Sequence, residues 1–295
     1  MNKGILSGIC AYLLWGLFPI YWKILHLVPA VQIIGHRIVW SFIFLIIIVI
    51  SAKQWNNFRS AVNSKKVLVI YLAASALLTV NWFVYVWGVN SGRIVETSLG
   101  YFINPLFSVL LGIIFLKEKL RLMQWIPVIL AAAGVIYLTF DYGRVPWIAL
   151  SLAFTFGLYG LVKKIAPLDS LFGLTFETAI AFPLALTYLI FVTAHGTGSF
   201  PQGNIANDLL LIATGIITSV PLLLFAYAAR NIPLSTVGIL QYIAPSLQFL
   251  IGVAVYREEF GKSDMIGFGL VWTALLIFSI ESTRNRSRIK AELKT

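Results

Sequence analysis

The sequence predicts an all-α polytopic membrane protein: ten transmembrane helices arranged as two inverted five-helix repeats. Three observations predict it. The 295 residues are 59% hydrophobic and only 11% charged, with a mean hydropathy of +0.90. Soluble domains carry about 25% charged residues, so most of the surface this chain builds must face lipid. Ten mostly apolar segments of about 20 residues, the length that crosses a bilayer core, can be placed along it. Finally, one apolar, proline-interrupted stretch occurs twice, 140 residues apart.

The segments fall at 4–25, 31–51, 67–89, 96–116, 122–140, 146–164, 170–194, 208–228, 234–256 and 263–281. The first follows Lys3 and contains Trp15, Pro19 and Trp22. With no small-residue cleavage site before a polar region, it reads as a retained helix and not a signal peptide. Its Cys10 is the single cysteine, which excludes an intramolecular disulfide and a cysteine-based zinc site. Connections are short apart from the polar runs 52–66 and 195–207, and residues 282–295 form a polar, basic tail. The organisation expected is a first repeat over 1–143, a second over 144–281, and a cytoplasmic tail over 282–295.

Lysine and arginine placement sets the orientation. With the N-terminus inside, cytoplasmic segments hold Lys3, Lys53, Arg59, Lys65, Lys66, Lys117, Lys119, Arg121, Lys163, Lys164, Arg230, Arg284, Arg286, Arg288, Lys290 and Lys294. Outside segments hold only Arg93, Arg144, Arg257 and Lys262, while Lys23 and Arg37 lie within helices. A missed or extra helix would scramble this alternation. The formal net charge of +11 therefore orients the chain and meets anionic lipid; it does not point to nucleic acid. The expected location is the cytoplasmic (inner) membrane, multi-pass, with both termini cytoplasmic.

The repeated stretch is Gly100–Gly112 followed by Lys117-Glu118, against Leu240–Gly252 followed by Arg257-Glu258. Pro105 falls on Pro245, Gly112 on Gly252, Tyr85 on Phe225 and Ser108 on Gln248. Because each unit has five helices, the second must lie upside down relative to the first. Inverted repeats of this kind build many secondary transporters, with the substrate site between the halves.

Polar groups in lipid are costly unless satisfied, which makes intramembrane ones functional candidates. Tyr101, Asn104, Ser108 and Gly112 recur at three-and-four spacing on the fourth helix, and Gln241, Pro245, Gln248 and Gly252 repeat the stripe on the ninth. Pro105 and Pro245 each free a carbonyl four residues earlier and are candidate helix kinks. The stripes read as cavity lining; close helix packing by small residues is the alternative. Asn81 and Tyr85 on the third helix and Trp15 on the first join the cavity candidates, Trp15 and Tyr85 by stacking on a substrate or by packing in the core.

Arg37 and Glu177, the deepest charges of their helices, are also 140 residues apart. At 1.5 Å rise per residue and a core of about 30 Å, they differ in depth by about 11 Å and belong to separate layers. On the outer side Arg37 could pair with Glu96, with Lys23 nearby. On the inner side Glu177 could meet Lys163, Lys164 or Arg230. The four residues Lys23, Arg37, Glu96 and Glu177 are candidate gate or coupling groups, or else fixed pairs that set helix register. Glu177 is also a candidate proton carrier, because burial brings the charged and neutral forms of a carboxylate closer in energy. His36 reads as a structural histidine.

No enzyme motif is present: there is no G-x-S-x-G, H-E-x-x-H or phosphate loop, and Asp141, Asp169, Asp208 and Asp264 fall at helix ends. No catalytic residue, metal site or cofactor is expected. The partners expected are a small-molecule substrate, the lipid bilayer and, as a coupling ion, protons. A passive channel or facilitator, or a membrane receptor or scaffold, are the rival classes; the duplicated layout and proline-interrupted helices favour a carrier.

Several runs carry a family resemblance: Trp15-Gly-Leu-Phe-Pro19 with Lys23, His36-Arg37 with Trp40-Ser41, Asn81-Trp82, and Ser98-Leu-Gly-Tyr-Phe-Ile-Asn-Pro105. Over residues 4–281 the chain resembles the RarD-type proteins of the EamA branch of the drug/metabolite transporter superfamily. The resemblance implies two inverted five-helix repeats and a cavity lined mainly by helices 1, 3, 4, 6, 8 and 9. That would place Trp15, Asn81, Tyr85, Tyr101, Asn104, Gln241 and Gln248 near the cavity and make helices 2 and 7 less central. It also implies a permease, with amino-acid-like or amphenicol-like molecules as the expected cargo.

Overall fold

The computed structural model describes residues 2–25, 27–90, 94–142, 147–201 and 204–255, together with 265–266, 269–270, 272–274, 276–277 and 280–281. Arg93, Arg144, Arg257, Glu258, Lys262, Asp264, the tail 282–295 and the side chains of Glu96 and Asp141 lie outside the described residues.

Every described element is a helix: α1 (Lys3–Gly16), α2 (Phe18–Ile24), α3 (Ala30–Ser51), α4 (Trp55–Val62), α5 (Lys65–Asn90), α6 (Ile94–Leu116), α7 (Leu122–Tyr142), α8 (Trp147–Ile165), α9 (Ser170–Ala194), α10 (Ile205–Asn231), α11 (Leu234–Gln241) and α12 (Ile243–Ala254). The described residues between 265 and 281 are helical too. Six stretches are long and apolar enough to cross a membrane: Lys3–Ile24, Ala30–Ser51, Lys65–Tyr85, Trp147–Ile165, Ser170–Ala194 and Ile205–Asn231. Shorter apolar helical stretches cover Gly100–Leu116 and Leu122–Tyr137.

Local chemistry explains the ends. Asn2 caps α1 through Gly4 N (2.9 Å) and Asp169 caps α9 through Phe172 N (2.8 Å), each satisfying an orphan amide. Two predicted single helices are interrupted. The first breaks at Leu17, with Pro19, which cannot donate a backbone hydrogen bond, in the opening turn of α2. The ninth breaks at Tyr242, just ahead of Pro245, whereas α6 runs on through Pro105. The polar run 52–66 holds a short helix, α4, in which Phe58 is buried against Phe172 (ring centroids 5.6 Å apart) and Trp55 faces outward. This is the layout of a helix lying in the membrane interface.

The helix ends sort into two layers. At one end, Gly4 approaches Ile232, Lys164 donates to the Ile232 carbonyl (2.6 Å), Arg230 donates to the Ala166 carbonyl (3.2 Å), and Arg121 pairs with Glu281 (3.1 Å). At the other end, Tyr21 donates to the Leu210 carbonyl, Gln32 spans the 195–207 loop through Thr197 O (2.8 Å) and Ser199 N (2.7 Å), and Phe200 packs on His36 and Trp40.

Large apolar side chains face outward as well as inward, and small polar ones lie inside the bundle. Leu27, Phe140 and Leu184 are each about four-fifths exposed, while Thr175, Thr214, Thr218 and Ser219 are buried among helices. Glycines permit the closest crossings. A Cβ at Gly215 would stand 2.5 Å from the backbone carbonyl of Trp40, where α10 crosses α3, and one at Gly238 would stand 2.6 Å from the Pro105 carbonyl, where α11 crosses α6. Backbone cannot rotate aside as a side chain can. Gly215→Val is therefore expected to destabilise the protein by about 1–3 kcal/mol or more, read as a lower thermal midpoint in detergent; an unchanged midpoint would show that α3 and α10 slide freely.

Candidate functional site

The predicted stripes of α6 and of α11 with α12 face each other at their crossing. Ser108 Oγ lies 3.4 Å from Gln241 Oε1, and both residues are buried. The Tyr242 hydroxyl donates to the Phe102 carbonyl at 3.2 Å. Asn104 Oδ1 is buried without a hydrogen-bond partner, as is the Tyr12 hydroxyl, which has Gln241 beside it but outside hydrogen-bond geometry. Pro105 and Pro245 lack the amide protons that would bond to the carbonyls of Tyr101 and Gln241. The region thus holds an unpartnered carboxamide oxygen and an unpartnered hydroxyl between the helices.

Aromatic rings floor it. Trp15 sits 5.4 Å from Tyr12, 5.7 Å from Phe225 and 5.9 Å from Phe156, centroid to centroid. Gln248 Nε2 donates to the Trp15 carbonyl at 3.0 Å, holding α12 to the broken end of α1. Asn81 is spent on scaffold contacts: its amide donates to the Leu152 carbonyl (3.0 Å) and to Thr155 Oγ1 (2.9 Å), pinning α5 to α8.

Beyond the floor, Phe225 stacks on Tyr159 (5.9 Å, 13°), and the Tyr159 hydroxyl donates to Glu177 Oε2 at 3.0 Å. Lys163 Nζ meets Glu177 Oε1 at 2.7 Å, with both side chains 1% exposed. Of the three partners that the sequence allows Glu177, it takes Lys163, while Lys164 and Arg230 serve carbonyls.

On the other side, α3 sends Arg37 inward. Its Nε donates to Thr218 Oγ1 on α10 at 2.9 Å. Its guanidinium lies 4.5 Å from the ring centroid of Trp82 and 5.0 Å from that of Trp22, with Tyr21, Tyr85 and Tyr101 within electrostatic reach. Tyr85 and Tyr101 meet edge to face at 5.7 Å. Arg37 and Glu177 thus occupy separate layers. The guanidinium joins Tyr85 and Tyr101 in one cluster, although sequence reasoning treats helix 2 as peripheral. Lys23 is exposed at the end of α2.

One functional candidate has no counterpart in the sequence reading. Lys117 adopts φ 53°, turning the chain so that Glu118 reaches the start of α11. There it accepts hydrogen bonds from Leu234 N (2.6 Å), Ser235 N (2.9 Å) and Ser235 Oγ (2.6 Å). A carboxylate at a helix N-terminus satisfies orphan amides and meets the positive end of the helix dipole. The repeated Lys-Glu after α6 was the available signal; Ser235, just past Pro233, was the partner to look for.

The profile of the EamA-like transporter family matches residues 2–140 and, separately, 145–280. This chain belongs to the EamA-like transporter family. An uncharacterized transporter, YojE of Bacillus subtilis (strain 168), is 48% identical over 96% of this chain and 95% of its own. Protein RarD of Escherichia coli (strain K12) is 40% identical, covering 97% of each chain. A more distant relative, 28% identical over 96% of this chain and 95% of its own, is named chloramphenicol-sensitive protein RarD in Pseudomonas aeruginosa. A solved structure described only as a protein crystal structure superposes with a TM-score of 0.72 at 17% identity, covering 94% of this chain and 97% of its own; it shows the shared fold alone. As an EamA-family protein of the drug/metabolite superfamily, the chain is a multi-pass membrane transporter and not an enzyme.

Proposed function

We propose that this EamA-family protein is a secondary transporter that moves a small metabolite or drug-like compound across the cytoplasmic membrane by alternating access, as an exporter of amino-acid-like or amphenicol-like molecules. Residues 1–143 and 144–281 form its two inverted five-helix repeats, giving ten spans, with both termini and the tail 282–295 in the cytoplasm. The observation that carries the reading is the meeting of the two stripes, Tyr101, Asn104 and Ser108 with Gln241 and Gln248, over an aromatic floor between two charged layers.

The repeat is supported by three facts. The family profile matches twice. Packing is paired under a swap of the halves: α6 on α8 and α12 on α1, α5 on α8 and α10 on α1, α3 on α10 and α9 on α5. Tyr242 and Phe102, which bond to each other, are equivalent positions at the 140-residue offset. The layer of Glu118, Lys164, Arg230 and the Lys163–Glu177 pair then closes the cytoplasmic side, and protonation of Glu177 would release Lys163 and couple opening to a proton.

Purified protein in liposomes, tested with labelled amino acids and amphenicols with and without a pH gradient, checks this. Saturable exchange of at least one compound is expected, falling about tenfold in Gln241→Leu through loss of one cavity hydrogen bond. Non-saturable flux would indicate a channel, and no flux of any compound would remove the transporter reading of this chain.

A further inference from the structure

Arg37 and Lys163 are both cations inside the bundle, yet the fold treats them differently. Lys163 has Glu177 at 2.7 Å. Arg37 has no carboxylate within ion-pair distance among the described residues, and its two terminal amino groups make no hydrogen bond to them; Nε alone is engaged, by Thr218. What surrounds the guanidinium is aromatic: its carbon lies over the rings of Trp82 and Trp22, with Tyr85 and Tyr101 close by. Cation–π contacts and one hydroxyl recover part of a guanidinium's lost hydration, but they do not replace a counter-ion. A guanidinium is also a rigid fork that matches a planar carboxylate with two parallel hydrogen bonds.

We infer that Arg37 is the anchor of an anion subsite, and that the transported molecule carries a carboxylate or similar planar anion on an apolar, ring-bearing body. Resting on the transporter reading, this names the substrate class of the central cavity. The anion bridges the free amino groups of Arg37, the hydroxyls of Tyr85 and Tyr101 lie beside it, and the indoles of Trp22 and Trp82 flank the ring. Among the described side chains, those facing Arg37 are tyrosine, tryptophan and threonine, the lining of a ligand subsite; Glu96, the partner a gate would use, lies outside them.

The test uses full-length protein in detergent, with native tryptophan fluorescence as readout. Benzoate, 3-phenylpropanoate and indole-3-acetate are titrated beside their carboxamides. At least one carboxylate should bind about tenfold or more tightly than its amide, the worth of one charge-assisted hydrogen-bond pair. Arg37→Gln should erase that preference and Arg37→Lys retain part of it. Absence of binding by all three carboxylates, equal binding of acid and amide, or undiminished acid binding by Arg37→Gln would overturn the inference. If Arg37→Gln does not fold, the acid-against-amide comparison on the natural protein decides alone. Liposome exchange separates the two readings: neutral cargo moved without carboxylate binding sinks only the anion subsite, whereas carboxylate binding without movement of any compound sinks only the transporter.

Discussion

Lys163→Met should lower stability by about 3–5 kcal/mol. The substitution leaves the Glu177 carboxylate 1% exposed beside Tyr159, with no cation to balance it. The remedy follows from the same geometry. Adding Glu177→Gln removes the charge while its amide oxygen still accepts from the Tyr159 hydroxyl, so Lys163→Met/Glu177→Gln should recover most of the loss. Thermal or denaturant unfolding followed by tryptophan fluorescence makes the comparison. A double variant no better than Lys163→Met would mean that the pair acts through packing alone. The experiment also informs the coupling proposal, because a double variant that is stable but no longer moves protons with substrate places the pair in the transport cycle.

Glu118→Ala should loosen the start of α11. One carboxylate satisfies two backbone amides and one hydroxyl at the start of α11, across a junction of 116 residues in sequence. Loss of charge-assisted hydrogen bonds of this kind is worth about 1.5–3 kcal/mol, or about tenfold or more in local opening. Amide hydrogen exchange at residues 234–237 should accelerate accordingly, with little change in the buried middle of α10. Glu118→Gln, which keeps one strong acceptor, should fall between. Equal exchange in all three proteins would show that the contact does not hold α11 closed.

The sequence made the lipid-facing class, the helical segments and the alternation of charge legible because each depends on one-dimensional quantities: apolar length, spacing and loop composition. Polar stripes on α6 and α11 were visible for the same reason, since three-and-four spacing fixes a face. Height was legible too. Rise per residue separates Arg37 from Glu177 and puts Glu177 on the side of Lys163, Lys164 and Arg230; the contact at 2.7 Å selects Lys163. What spacing along the chain does not fix is azimuth, the direction in which a long side chain leaves its helix. That is why Arg37, carried by a helix expected to be peripheral, was not placed with Tyr85 and Tyr101. Nor does spacing reveal that the Asn81 amide donates to the Leu152 carbonyl and to Thr155 on the neighbouring helix. The breaks at Leu17 and Tyr242 leave hydropathy unchanged and are signalled only by the prolines that follow, Pro19 and Pro245, while α4 is too short for its period to register.

The hydrogen bond from Tyr242 to the carbonyl of Phe102 joins two positions that the inverted-repeat proposal makes equivalent. In a carrier whose halves exchange shapes when it turns from one face of the membrane to the other, perfect likeness of the halves would make the two end states equal in energy. A hydroxyl that only one half possesses, placed where the halves touch, breaks that balance. At about 1 kcal/mol for such a bond, it tilts the resting population about fivefold toward the state that forms it. Under the alternating-access proposal, the oxygen atom at position 242 is then one of the differences between the halves that bias which side of the membrane the empty carrier faces.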